Sequence, residues 1–321
     1  MSEMTFTGKL CAWGRLLRLP NLFTAPWDPV CGFLIAGGAS DPEKIGYLAV
    51  AALCAYAFGL VTNDIADLKT DTAERPARPL PSGEISMKEA SIAAVVLCIV
   101  ALELTSFAGH GACFGMMLLL VVILLYNYCG RKSALLSSAL MGLCRVFSFG
   151  IGVAAVYPEI PFPDMMLCAL YAAGMFLFIL GITLVARRET ETLKSRPGRI
   201  FIPAGALLMA LAAGLRILSS TPSCAISMTA SGRVSSAGEL DIIMLPGLLL
   251  LLLFFGASAG AWFAFGRMLE PAAVQKKIGF LIRTLILVQC AVILSFSLSL
   301  GIAVACCLPL ARLASWKFYG S

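Results

Sequence analysis

The sequence predicts an all-α polytopic membrane protein with about nine transmembrane helices. Three observations carry that expectation. Hydrophobic residues make up 60% of the 321 and charged residues only 13%, with a mean hydropathy of +0.91, whereas a soluble domain carries about 25% charge. The apolar residues gather in runs of about 20, the length that crosses a bilayer core. The Lys and Arg residues also segregate. With nine spans and a cytoplasmic N-terminus, seventeen of the 24 fall in cytoplasmic segments and five on the opposite side, the asymmetry of the positive-inside rule.

Taken in order, residues 1–22 read as a cytoplasmic amphipathic segment. Spans are expected near 24–40, 46–64, 89–108, 112–129, 135–156, 165–186, 200–218, 242–266 and 278–308, with an external loop over 219–241. The last span is long enough to be tilted, kinked or broken, and Pro309 is expected to end it. This places the C-terminus outside, and 1–321 reads as one domain. The first apolar run begins only after Pro20 and lacks a small-residue cleavage site, which argues against a cleaved signal peptide.

Several function classes fall away at once. The net charge of +6 needs no nucleic-acid partner, since cytoplasmic loops beside anionic lipid account for it. Twelve cysteines, scattered mostly in the spans without Cys-x-x-Cys spacing, read as small hydrophobes. His110 is the only histidine and falls in an external turn, which excludes a histidine dyad or histidine metal site. No paired Gly/Pro-broken spans mark the inverted repeats of a secondary transporter.

The chemistry gathers where the second span ends. Asn63, Asp64, Asp67 and Asp71 run off the apolar stretch 48–61 and lead into Arg75-Pro76-Ala77-Arg78-Pro79-Leu80-Pro81-Ser82-Gly83. On a helix, Asn63, Asp67 and Asp71 fall within roughly 80° of one another, and Asp64 lies about 100° off that face. Stacked carboxylates are costly beside a membrane span. A hard divalent cation takes such oxygens and shares substrate phosphates. Two arginines on a proline-stiffened loop suit phosphate oxygens. These residues read as a Mg²⁺–diphosphate site at a membrane surface. A plain solvated loop would leave the helical register of the carboxylates unexplained.

Asn-Asp-x-x-Asp-x-x-x-Asp followed by Arg-Pro-x-Arg-Pro-Leu-Pro-Ser-Gly resembles, over 63–83, the first aspartate-rich motif of the UbiA superfamily of intramembrane prenyltransferases. The resemblance implies helices around a central lipid-accessible cavity. It implies transfer of an isoprenyl group from a prenyl diphosphate to an acceptor, here unidentified, with Mg²⁺ assisting diphosphate departure. Asn63, Asp67 and Asp71 are then the catalytic metal ligands, and Asp64, Arg75 and Arg78 stand at the donor. Arg18 and Asn21, in Arg18-Leu19-Pro20-Asn21, match a basic residue and an asparagine that family members carry near the active-site mouth. Tyr128 and Lys132 match a Tyr-x-x-x-Lys spacing at the end of the fourth span, although an interfacial tyrosine belt also explains Tyr128.

The family's second motif, Asp-x-x-x-Asp after the sixth span, is altered here to Arg187-Arg188-Glu189-Thr190-Glu191. Glu189 and Glu191 lie about 200° apart on a helix and cannot share a metal there. Either Arg187 and Arg188 replace a metal and grip diphosphate, or the pocket has drifted to another phosphate or to no chemistry; Glu189 is a candidate for the second metal or for an acceptor contact. Positive-inside flanking alone would also account for the two arginines. Arg145, inside the fifth span, is functional by default as an intramembrane charge, or is paired structurally with Asp28 or Glu103. Asp28, the run Met141-Gly142-Leu143-Cys144-Arg145 and Arg187-Arg188-Glu189 together resemble the UbiA-like branch of Ebo-type bacterial gene clusters, which implies a bacterial cytoplasmic membrane. The alternative from another class is a non-catalytic lipid-phosphate binding or transport protein that keeps only the half-site.

Overall fold

A computed structural model describes residues 6–18, 22–38, 41–130, 133–187, 198–220, 238–267 and 270–319. Among these residues every regular element is a helix: α1 Phe6–Leu16, α2 Trp27–Ile35, α3 Pro42–Glu74, α4 Met87–Ala108, α5 His110–Cys129, α6 Ala134–Ala154, α7 Phe162–Ala186, α8 Phe201–Ser220, α9 Gly238–Ala264, α10 Pro271–Leu294 and α11 Leu298–Tyr319. Eight of them, α3 to α10, are long and apolar enough to cross a membrane.

The 33 residues of α3 make it roughly 50 Å long, against a hydrocarbon core of roughly 30 Å. Its last turns, which carry the acidic motif, therefore stand beyond the apolar part of the bundle. The helix starts on Asp41, whose side chain accepts from the Lys44 amide at 3.1 Å, with Pro42 at the first helical position. It stops at Arg75 because Pro76 disfavours a helical residue before it. The chain then turns back through Gly83, which has φ +78°. A reciprocal Ser86–Glu89 capping box starts α4. Helix α1 docks on this turn through Lys9–Glu89 at 2.5 Å and Arg15–Glu84. Such exposed pairs are worth about 0–1 kcal/mol each. Their consequence is geometric, because they bring Arg18 to the acidic motif.

The first expected span, 24–40, is replaced by the nine-residue α2, eight of whose residues are buried. At roughly 13 Å it is too short to span alone. The path still runs from one end of the bundle to the other. Arg18 lies by Asp64, whereas Asp41 stands at the start of the same helix, roughly 34 Å away. Two glycines hold α2 in place: a Cβ on Gly32 would collide with the Phe149 carbonyl, and one on Gly152 with the Pro29 carbonyl. The backbones of α2 and α6 meet where no side chain fits, and this sets Asp28 opposite Arg145.

The last expected span, 278–308, is two helices. The Ser297 hydroxyl accepts from the Leu300 amide at 3.3 Å, which caps a new helix. Helix α11 folds back on α10, with Cys290 Sγ donating to the Gly301 carbonyl at 3.3 Å. Pro309 lies inside α11 rather than at an end, at the loss of one backbone bond. The hairpin carries the end of α11 back toward the start of α10. Most of the expected external loop, 219–241, lies outside the described residues.

Two cores result. One joins α2 with α7 to α10, and the other joins α1 with α3, α4 and α5. Between them lies a central cavity of about 300 Å³.

Candidate functional site

The mouth of the bundle is charged. A cavity of about 510 Å³ is lined by Arg18, Asp64, Arg75 and Arg78, among others. Seven residues apart, Asp64 and Asp71 lie about 20° from each other on α3, and both are 5% exposed. One guanidinium reaches both: Arg78 Nη1 is 2.5 Å from Asp71 Oδ2 and 3.8 Å from Asp64 Oδ1. Arg18 Nη2 stands 3.7 Å from the same Asp64 oxygen, which is buried and has no hydrogen-bond partner. Arg18 holds φ +45°, a left-handed conformation that costs a non-glycine residue about 1–3 kcal/mol.

The expected face of Asn63, Asp67 and Asp71 is therefore divided. Asn63 Nδ2 donates to Asp67 Oδ2 at 2.7 Å, while Asp71 turns with Asp64 toward Arg78. The i, i+7 spacing of Asp64 and Asp71 is tighter in angle than that of Asn63 and Asp71, and this places Asp64 with the site's carboxylates. Arg75 is exposed on the outer cavity.

Arg18 lines both the inner cavity and the outer one. Asn63 and Tyr126 also border the inner one. Small residues of α3 (Ala52, Ala55 and Gly59) make one wall, and Ile179, Ile182 and Ile278 close it from α7 and α10. The other wall carries Asp28 and Arg145. Arg145 Nη1 donates to Asp28 Oδ2 at 2.5 Å and Nη2 to Thr24 Oγ1 at 2.9 Å. Gln289 Nε2 donates to Asp28 Oδ1 at 2.7 Å and to the Thr24 carbonyl at 3.1 Å. Arg145 is thus paired with Asp28 and also lines the cavity, while Glu103 is exposed on α4.

At the end of α5 the structure corrects the sequence. Tyr128 is 57% exposed and points away from the cavity. Tyr126, about 200° around the helix, takes the cavity position. Asn127 is buried between them and donates to the Gly59 carbonyl at 3.1 Å and to Thr62 Oγ1 at 2.8 Å, which pins α5 to α3 beside the site. An amide inside an apolar run was the signal that could have found it. Arg187 lines neither cavity. It is exposed, and its Nη2 donates to the Gly130 carbonyl at 3.4 Å, tying the end of α7 to the end of α5. Asn21, Lys132, Arg188 and Glu189 lie outside the described residues.

Among the described residues no three His, Cys, Asp or Glu side chains gather to hold a metal by themselves. The donors at the mouth nonetheless fit a hard cation. They are all oxygens on adjacent turns, and one buried carboxylate oxygen lacks a hydrogen-bond donor.

This combination of a helical bundle, a central apolar cavity and a mouth of carboxylates and arginines has known counterparts. A model of the UbiA prenyltransferase family matches residues 29–268, and the chain belongs to that family. Curated relatives include the digeranylgeranylglyceryl phosphate synthase of Methanococcus aeolicus, 32% identical over 164 residues, or 49% of this chain and 57% of that one. That of Methanocaldococcus jannaschii is 30% identical over 168 residues, 51% and 59% of the two chains. The match thus spans less than two thirds of these relatives. A UbiA homologue from Archaeoglobus fulgidus, solved with DMAPP and Mg²⁺, superposes with a TM-score of 0.55 at 14% identity, covering 91% of this chain and 98% of the other. One from Aeropyrum pernix K1 gives 0.55 at 19%, covering 85% and 96%. These likenesses show the fold. The relatives point to the family rather than to the Ebo-type branch.

Proposed function

We propose that this chain transfers an isoprenyl group from a prenyl diphosphate to an acceptor. The observation that carries the reading is that Arg18 borders both a charged mouth and an apolar cavity. A prenyl diphosphate has the same build, with an anionic head on an apolar tail. Arg18, Arg75 and Arg78 bind the diphosphate oxygens and stabilise the charge that grows on them as the allylic C–O bond ionises. The apolar walls keep water from the carbocation. The acceptor's electron pair then forms the new bond, and the acceptor gives up a proton.

Asn63, Asp64, Asp67 and Asp71 would hold Mg²⁺ together with diphosphate oxygens. The ion, when bound, adds positive charge at the leaving group. The names of the relatives and the contents of the Archaeoglobus structures, one with DMAPP and one with GPP, each with Mg²⁺, support this reading. Asn21, Lys132, Arg188 and Glu189 remain candidate substrate contacts, Arg187 ties the end of α7 to the end of α5, and Tyr126 takes the place assigned to Tyr128.

We further infer one transmembrane domain with its N-terminus and acidic mouth on the cytoplasmic side, where the positive residues concentrate. With α11 folded back, the C-terminus returns to that side. Placement in a bacterial cytoplasmic membrane rests on the branch resemblance and loses that support, since the digeranylgeranylglyceryl phosphate synthases the chain matches are archaeal.

One observation favours a second reading, a lipid-phosphate binding or transport protein. Asp71 is bonded to Arg78 and Asp67 to Asn63, so both carboxylates already have partners. Incubating the purified protein with prenyl diphosphates and Mg²⁺ separates the two readings. Diphosphate released in the presence of an acceptor lipid extract supports transfer, and binding without release supports the second reading.

A further inference from the structure

We propose that Arg145 and Ser148, on the wall of the inner cavity that Asp28 neutralises, hold the polar end of the acceptor, and that the group held there is a neutral hydroxyl or carbonyl rather than an anion. This rests on the transfer reading above and names the acceptor's chemical class.

The wall is far from the donor's head. Tyr56 is close enough to Arg145 to act on it electrostatically, and Tyr56 lies seven residues, or roughly 10 Å, along α3 from Asn63. A ligand held at Arg145 is therefore held inside the bundle, beyond the arginines of the mouth. Across the cavity Gly59, Ala55 and Ala52 leave room for an isoprenoid chain. The two walls thus suit two different molecular surfaces, one apolar and one hydrogen-bonding.

Charge decides what the polar wall accepts. Arg145 is 13% exposed by side chain and Asp28 1%, and they meet at 2.5 Å. Their charges cancel. A carboxylate or phosphate brought to this wall would leave one negative charge without a counter-ion deep in the bundle, which is unfavourable. A hydroxyl or carbonyl adds no charge. The guanidinium has five N–H donors, and Asp28 and Thr24 engage one on each terminal nitrogen, so donors remain for a neutral oxygen. Ser148 lies three residues on, along the same face of α6, and lines the same cavity.

Thermal unfolding of the full chain in lipid nanodiscs tests this. Mg²⁺ and inorganic pyrophosphate are kept saturating to occupy the mouth. The probes are decan-1-ol and decanoate, equal in chain length and different in charge. The wild type should gain a few °C with decan-1-ol and less with decanoate. Asp28→Asn, which leaves the arginine charge unmatched, should reverse that order. Asp28→Asn/Arg145→Gln, which buries no net charge, should respond to neither. Should that double variant fail to fold, Ser148→Leu, which covers the wall without touching the pair, should remove the response to the alcohol. The proposal is overturned if decanoate stabilises the wild type as much as decan-1-ol, or if the alcohol's effect survives in the double variant or in Ser148→Leu. The shift caused by Mg²⁺–pyrophosphate alone reports on the mouth separately. Its absence counts against the donor reading, and its presence with a failed alcohol test counts against the polar wall alone.

Discussion

Arg78 reaches back across the turn that ends α3 and meets Asp71 at 2.5 Å. The turn 76–83 is thereby strapped to the helix it follows, and further bonds from the Ser82 amide to the Arg78 carbonyl and from the Ile85 amide to that of Pro79 hold the strap closed. The arginine that should grip diphosphate is thus held by the carboxylates that should grip the cation. On the proposed reading, arrival of the donor would exchange these partners, each of which the strap keeps close to the mouth.

Arg78→Gln should weaken donor binding by about 10- to 100-fold, the worth of a charge-assisted bond of about 1.5–3 kcal/mol. It also leaves two buried carboxylates with less compensation, so the Mg²⁺-free protein should lose stability. Adding Asp71→Asn should recover stability without recovering donor affinity. Binding and unfolding measured on the two single variants and the double close the cycle. Independent, additive losses would show that the pair is not coupled.

Asp71→Asn and Asp67→Asn should each lower turnover by at least about 100-fold, if each carboxylate helps bind the cation that the leaving group requires. Their structural costs differ. Asp71 is 5% exposed and bonded to Arg78, so its replacement should cost about 1–3 kcal/mol of stability, whereas Asp67 is half-buried and should cost less. Diphosphate release and urea unfolding on the same preparations check both. Near-native turnover by Asp71→Asn in Mg²⁺ would remove it from the site.

Much of this was legible in the sequence because apolar runs report bilayer length and acidic residues in register report one helix face. The acidic motif, the arginine loop and the Asp28–Arg145 alternative were all read from residue types at their spacing. What stayed illegible depends on contacts between distant segments. The shortness of α2 follows from Gly32 and Gly152 letting two backbones touch, and composition carries no trace of that. Which of Tyr126 and Tyr128 faces inward is settled by Asn127, whose partners are on another helix. The length of the final span already allowed a break; its position comes from Ser297 acting as a cap, and the sequence instead pointed to Pro309.

Arg145→Met should destabilise the protein by about 3–5 kcal/mol, because it strands a buried Asp28. Asp28→Asn/Arg145→Met should be less destabilised than the single variant, since no buried charge then lacks a partner. Thermal melts in one detergent compare them. A double variant weaker than either single one would mean that the pair organises more of the bundle than Thr24 and Gln289 show.

Topology gives a further check in a cysteine-reduced background. Cysteines at Thr72 and Glu270 should react with an impermeant maleimide from the cytoplasmic side only, and one at Tyr157 from the opposite side only. All three positions are exposed. Thr72 and Glu270 labelled from different sides would break the proposed topology.

The small-residue wall makes the last prediction. Ala55 is 1% exposed to bulk solvent yet borders the inner cavity, so a larger side chain there must occupy space proposed for the isoprenoid tail. Ala55→Leu should leave the charged mouth intact and shorten the tail that fits. Dimethylallyl diphosphate, which needs little of the cavity, should keep kcat/KM within about threefold, and geranylgeranyl diphosphate should lose about 10- to 100-fold, consistent with about 1–3 kcal/mol for steric misfit in an apolar site. The loss should fall mainly on KM if the long tail is excluded from the ground-state complex as well as from the transition state. Equal losses for both donors would place the tail elsewhere. A loss confined to kcat for both would mean that Ala55 acts on α3, and through it on Asn63 and Asp64, rather than on the tail.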